Sequence, residues 1–227
     1  MALMTLLSAV IPSAVIMIWF HRRDVFPEPR AVLWKTFSWG VVSTLPVLLV
    51  VNVYDGAVDS VADPALRGVL SAFFSAALPE EFFKFLVVAL FAARLRDFDE
   101  PMDGIVYGVA ASLGFATLEN LLYVAEGGIV TAAVRAVTSV PGHALYGALM
   151  GMYVARAKFD PSRANRHLAL GLLVPTLFHG LYDAPLLAAA AAYEDGMPDA
   201  VAGPWMLLVP VTLLIMGFWV KRLIETL

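Results

Sequence analysis

Acidic and imidazole side chains stand in this chain at positions whose surroundings are otherwise apolar, and their types and spacing suit the activation of water. Glu80, Glu81 and Lys84 fall in one apolar run, Glu119 and Asn120 in a second, Arg135 and His143 in a third, and His179 and Asp183 in a fourth. Glu80 and Lys84 are four residues apart, as are His179 and Asp183, so each pair shares a helix face. An acid four residues from a histidine holds one ring nitrogen and fixes the tautomer at the other. Glu80 and Glu81 point about 100° apart on a helix, so one can face a site while the other pairs with Lys84 or a backbone donor. Two mechanisms fit glutamates and histidines without cysteine. In one, His143, His179 and a carboxylate hold a divalent metal with an open position for water, and a remaining glutamate is the general base. In the other, a buried glutamate activates water directly and a histidine stabilises the oxyanion. Both would hydrolyse a peptide bond.

The elements that must position these groups are membrane helices. The 227 residues are 60% hydrophobic and 15% charged, with a mean hydropathy of +0.79, whereas a soluble domain carries about 25% charged residues. Crossing a bilayer takes about 20 apolar residues. Seven segments qualify: Ala2–Phe20, Ala31–Val53, Arg67–Ala92, Gly104–Ala125, Ile129–Ala157, His167–Tyr193 and Gly203–Val220. None alternates as a barrel strand would, so the expected fold is all-α, a polytopic bundle of seven transmembrane helices in a single domain, 1–227. Lys and Arg cluster after the first, third and fifth spans and in the tail, while Asp55, Asp59, Asp63, Glu126, Glu194, Asp195 and Asp199 fill the alternate loops. That charge pattern puts the N-terminus outside and the C-terminus in the cytoplasm. The first run has no basic residues ahead of it and reads as a retained span. Gly104 and Gly108, then Gly147 and Gly151, have the spacing of close helix contacts. Pro46, Pro79, Pro141, Pro175 and Pro185 predict kinks within spans. A net charge of −4 offers no basic patch for nucleic acid.

Depth ties the polar residues together. At 1.5 Å per residue, Glu81, His143 and His179 each lie about 18 Å from the cytoplasmic end of their spans, and Glu119 and Asp183 about 24 Å. Charged groups at membrane depth are costly and mark functional sites. Four helices placing them in one layer points to a single interior site. Taken singly, Glu80 with Lys84 could be a self-neutralising structural pair, and His179 with Asp183 a buried lock. Arg135 reads as structural, near the outer interface. Tyr107, Tyr146 and Tyr182 read as packing residues, and His21 and His167 as bystanders at the cytoplasmic boundary. The HExxH helix of a zinc site-2 protease is absent. An aspartyl design would leave Asp183 only Asp103 as a partner, and a pairing of Ser139 with His143 would leave the glutamates unexplained. The rival class is a proton- or cation-coupled transporter whose buried acids and histidines relay charge.

Pro79-Glu-Glu-Phe-Phe-Lys84 resembles the EExxK motif of the PrsW family of intramembrane proteases. Phe98-Asp-Glu-Pro-Met-Asp-Gly104 with Gly114-Phe-Ala-Thr-Leu-Glu-Asn120 resembles that family's second block, and Pro141-Gly-His143 and His179-Gly-Leu-Tyr-Asp183 the remaining two. The blocks run in the family's order from Leu78 to Asp183, and Asp24–Arg30, with its Pro-Glu-Pro, resembles the family's first loop. The family is similar to the CAAX prenyl endopeptidases, but Glu119 stands where those enzymes carry histidine, which weighs against prenylated substrates. The resemblance implies a membrane-embedded peptidase whose catalytic residues are Glu80, Glu81, Glu119, His143, His179 and Asp183. Glu81 or Glu80 would be the base, and Lys84 and Asn120 would support it. Glu119, His143 and His179 would be ligands if a divalent metal, zinc foremost, is used, or hydrogen-bonding groups if none is. It further implies a bacterial or archaeal cytoplasmic membrane. The expected substrate is a single-pass membrane protein resembling an anti-sigma factor, given its first cut in a stress cascade.

Overall fold

With no water in hydrocarbon, apolar runs of this length satisfy their backbone groups internally. The computed structural model describes residues 2–197 and 203–227, and every regular element among them is helical. In chain order the α-helices are α1 (Ala2–His21), α2 (Arg30–Val58), α3 (Pro64–Leu70), α4 (Leu78–Leu86), α5 (Pro101–Val137), α6 (Ser139–Phe159), α7 (Ala164–Glu194) and α8 (Leu208–Glu225). Asp63 caps α3, its carboxylate accepting from the Leu66 amide at 2.7 Å. Between α3 and α4 the chain winds as wider π turns over Ser71–Ala77, and again after α4 over Val87–Phe91. Such turns concentrate at functional sites, and here they bracket the stretch that carries Glu80, Glu81 and Lys84.

α5 is the central helix. It is buried on all sides from Met102 to Thr117, as expected of a helix apolar all round. Its closest neighbour is α6. A Cβ on Gly108 would strike the carbonyl of Gly147, and one on Gly147 would strike that of Gly108, so the two backbones touch as the small-residue spacing predicts. The outer surface is apolar, with Val15, Leu49, Leu214 and Phe218 well exposed, the character of a lipid-facing belt.

The count of crossings departs from the sequence expectation. Among the described residues four helices are long and apolar enough to span: Arg30–Val51, Pro101–Phe159, Pro161–Glu194 and Trp205–Glu225. The first run yields a shorter apolar helix, Leu7–His21. The third is divided by its π turns and carries three buried charges, Glu80, Glu81 and Lys84. The expected fourth and fifth spans are joined without a loop. The chain reverses at Gly128 (φ 68°, ψ −157°), runs helically through 129–137, and turns again at Thr138 (φ −123°, ψ −72°) before α6 begins. Ile129–Val137 is therefore set off by a turn at each end, from the main run of α5 and from the helix of His143. Pro141 falls in the first turn of α6, where a missing N–H breaks no helical bond. The acidic loop after α2 shrinks to residues 59–63, because α2 continues to Val58. Asp199 lies outside the described residues.

Candidate active site

Lys84 sits at the centre of the polar layer, fully buried on α4. Its ammonium donates to Glu81 Oε1 at 2.7 Å and to Glu80 Oε2 at 3.2 Å. It also lies 3.1 Å from His143 Nδ1 and 4.2 Å from the centre of the Phe115 ring. An ammonium only donates, so it makes Nδ1 of His143 an acceptor and leaves the proton on Nε2. That nitrogen lies 2.9 Å from Glu119 Oε2. From α7, His179 Nδ1 meets Glu81 Oε1 at 2.8 Å, while its Nε2 faces Asp183 Oδ2 at 3.0 Å and Glu80 Oε2 at 3.9 Å. The two imidazoles lie 5.3 Å apart edge to face, and Tyr146 stacks on His179 at 4.7 Å.

The structure thus brings Glu80, Glu81, Glu119, His143, His179 and Asp183 together with Lys84, as their common depth anticipates. Asn120 is adjacent, its amide reaching the Ala9 carbonyl on α1 at 3.2 Å. A cavity of about 220 Å³ opens onto the layer, with Glu80, Glu119, Arg135, His143, His179 and Asp183 on its wall. Glu81 is not on that wall. It is fully buried behind the layer, and its Oε2 has no hydrogen-bond partner. Ser139 borders the cavity. Asp103 lies sixteen residues before Glu119 on α5, about 24 Å away along the axis, and takes no part.

Arg135 is the residue that sequence reasoning misplaced. Its guanidinium donates to Glu119 Oε2 at 2.6 Å and to Asn120 Oδ1 at 2.8 Å, and lies 4.1 Å over the Tyr123 ring. It reaches them because the reversal at Gly128 folds 129–137 back beside the end of α5. The one sequence signal for this was the Gly127-Gly128 pair.

The comparisons with known proteins bear on what such a layer does. A family model described as PrsW family intramembrane metalloprotease matches residues 28–216, a stretch that includes every group in the layer. The chain belongs to this family. Relatives named Protease PrsW include that of Geobacillus kaustophilus, 41% identical over 81% of this chain and 80% of the relative. That of Bacillus subtilis is 36% identical over 80% and 82% respectively. That of Clostridioides difficile is 32% identical over 78% and 76%. No solved structure matches. The protein is accordingly a membrane peptidase of the PrsW family, acting on membrane-protein substrate in a bilayer.

The metal in the family's description can be tested against the donors present. Glu80, His143 and His179 each offer one ligand atom, and the three lie within 4.8 Å of one another. Two nitrogens and one carboxylate, with a fourth position open to the cavity, are the donor set of a catalytic zinc site. Charge agrees in kind: four carboxylates, Glu80, Glu81, Glu119 and Asp183, converge on a layer whose Lys and Arg partners are Lys84 and Arg135, with His143 and His179 between them. The residues fit a divalent cation once Lys84 releases His143 Nδ1, the ring nitrogen it leaves without a proton. The carboxylate in that group is Glu80 and not the expected Glu119, whose Oε2 is engaged by Arg135 and His143.

Proposed function

We propose that this PrsW-family peptidase cleaves its substrate at the acid–histidine layer, with Glu80 as the residue that takes the proton of the attacking water. The observation that carries this is the position of Glu80. It alone of the glutamate pair lines the cavity, while Glu81 is spent on Lys84 and His179. Water loses a proton to Glu80 as its oxygen adds to the peptide carbonyl. Arg135 supplies N–H groups at the cavity wall for the developing oxyanion. The proton then passes to the amine as the C–N bond breaks. Asp183 and Glu81 orient His179, and Glu119 orients His143.

A divalent cation, zinc foremost, would be held by Glu80, His143 and His179. When bound it would polarise the carbonyl and lower the pKa of water. Glu119 and Asp183 are then the carboxylates left on the wall to hold the proton. Elemental analysis of chelator-free protein separates the two cases. About one equivalent lost in His143→Ala with His179→Ala assigns the metal, and active protein without metal assigns direct activation by Glu80. In either case Glu80→Gln is expected to lower cleavage of a single-pass membrane reporter in proteoliposomes at least ~100-fold. Wild-type turnover in that variant would overturn the assignment.

The natural substrate is taken to be a single-pass membrane protein of the anti-sigma-factor kind, in a bacterial or archaeal cytoplasmic membrane. The whole chain is taken as one domain crossing seven times with its N-terminus outside, a reading supported by the alternation of basic and acidic loops.

A further inference from the structure

Two motif blocks that the acid–histidine layer does not use, the Pro-Glu-Pro loop and Phe98–Gly104, meet at the start of α5. Asp103 Oδ2 accepts from the amides of Asp99 and Glu100, both at 2.7 Å, and Glu100 completes a reciprocal cap on the helix. Asp24, in the loop after α1, accepts from the Phe26 amide at 3.0 Å. Glu28 takes the hydroxyl of buried Tyr107 at 2.5 Å. One oxygen each from Asp24, Glu100 and Asp103 lies within 4.8 Å of the other two. Glu28 is in hydrogen-bonding reach of Asp103.

This is more than an acidic surface. Asp103 is 1% exposed, Glu28 5% and Asp24 7%. Asp103 Oδ1 and Asp24 Oδ2 are both buried without any hydrogen-bond partner. None of the ion pairs among the described residues involves any of the four. The nearby Lys158 ammonium is turned instead to the Ala93 carbonyl at 2.9 Å. Converging buried carboxylates with orphaned oxygens are costly unless a cation or shared protons lie between them. The donors are all oxygen, which selects a hard cation over zinc or copper.

We propose that Asp24, Glu100 and Asp103, with Glu28 alongside, form a binding site for a hard divalent cation, calcium or magnesium. The ion fastens the loop between α1 and α2 to the first turn of α5. The site is separate from the acid–histidine layer and does not depend on how that layer works.

The test is calorimetric titration and thermal melting of full-length protein in detergent, stripped with EDTA and freed of it, with calcium chloride or magnesium chloride added. Wild type should bind one equivalent saturably and melt at higher temperature, and the ion with the lower Kd is the one assigned. His143→Ala with His179→Ala should keep this response, which separates it from any metal at the other site. Asp24→Asn with Asp103→Asn should lose it. If that variant does not fold, Glu100→Gln decides, because its amide oxygen keeps the helix cap while one charge is removed; a Kd at least tenfold weaker is expected. No saturable response in wild type to either ion would overturn the proposal and leave shared protons between the carboxyls. So would a response undiminished in Glu100→Gln.

Discussion

Lys84 holds the site together at the scale of single residues. Among the described residues it is the one lysine or arginine in contact with both Glu80 and Glu81, and it also fixes the tautomer of His143. Its removal leaves two buried carboxylates without their partner, so Lys84→Met is expected to cost about 3–5 kcal/mol. Denaturant-driven unfolding in micelles measures this, and adding Glu80→Gln to Lys84→Met should return part of the loss. Wild-type stability in Lys84→Met would show that the contact is incidental. Sequence alone revealed these residues well, because charge in an apolar run is conspicuous and depth could be counted from span ends. It did not reveal which glutamate joins the two histidines. That depends on the rotation of α4 about its axis, which no spacing within one helix fixes.

Among the elements, the contact of α5 with α6 positions Glu119 against His143. At Gly108 a side chain would run into the backbones of Gly147 and Gly151. Gly108→Leu must therefore push the helices apart, and a loss of both folded yield and cleavage is expected. Retention of both would mean that the contact is not needed. The loop before α2 makes a second element-scale prediction. Burial pushes the Glu28 carboxyl up to about 8, against the Tyr107 hydrogen bond, with Asp103 and Asp24 adding to the rise. Lys158 on α6 lies near this cluster, with its ammonium turned to the Ala93 carbonyl. The folded state then holds a proton that the unfolded chain releases near its ordinary value of 4.5. In chelator, the Glu28 contribution to stability is fully present below 4.5 and is lost as pH rises to about 8. Glu28→Gln should flatten that decline in melting temperature, and an equal slope in both proteins would refute the shift. Element ends were the least legible feature. The reversal at Gly128 falls between the expected span ends Ala125 and Ile129, with Glu126 marking the break, but the second turn at Thr138 lies inside an unbroken apolar run and has no change of hydropathy to mark it.

For the whole molecule, membrane character followed from composition, because no soluble globule of this size could bury so apolar a chain. The number of crossings did not follow as directly, since α1 is short in apolar length and the α3–α4 stretch mixes charge with apolar residues. The chain has no cysteine, so cysteines introduced one at a time report sidedness. Asp59→Cys should react with an impermeant maleimide in intact cells, and Ser162→Cys only after lysis. The reverse pattern would invert the proposed topology.

The π turns over Ser71–Ala77 give the site an unusual kind of vulnerability. Each such turn takes in one residue more than an α turn. If the segment rewound as regular helix with its length unchanged, each lost π turn would swing α4 by about 100° relative to α3. Glu80, Glu81 and Lys84 would all survive in the sequence, yet they would no longer face His143 and His179. The aim of the site is therefore set by a count of residues as well as by their identity. An added residue in this segment should be tolerated far less than substitutions at its lipid-facing side chains, such as Phe74.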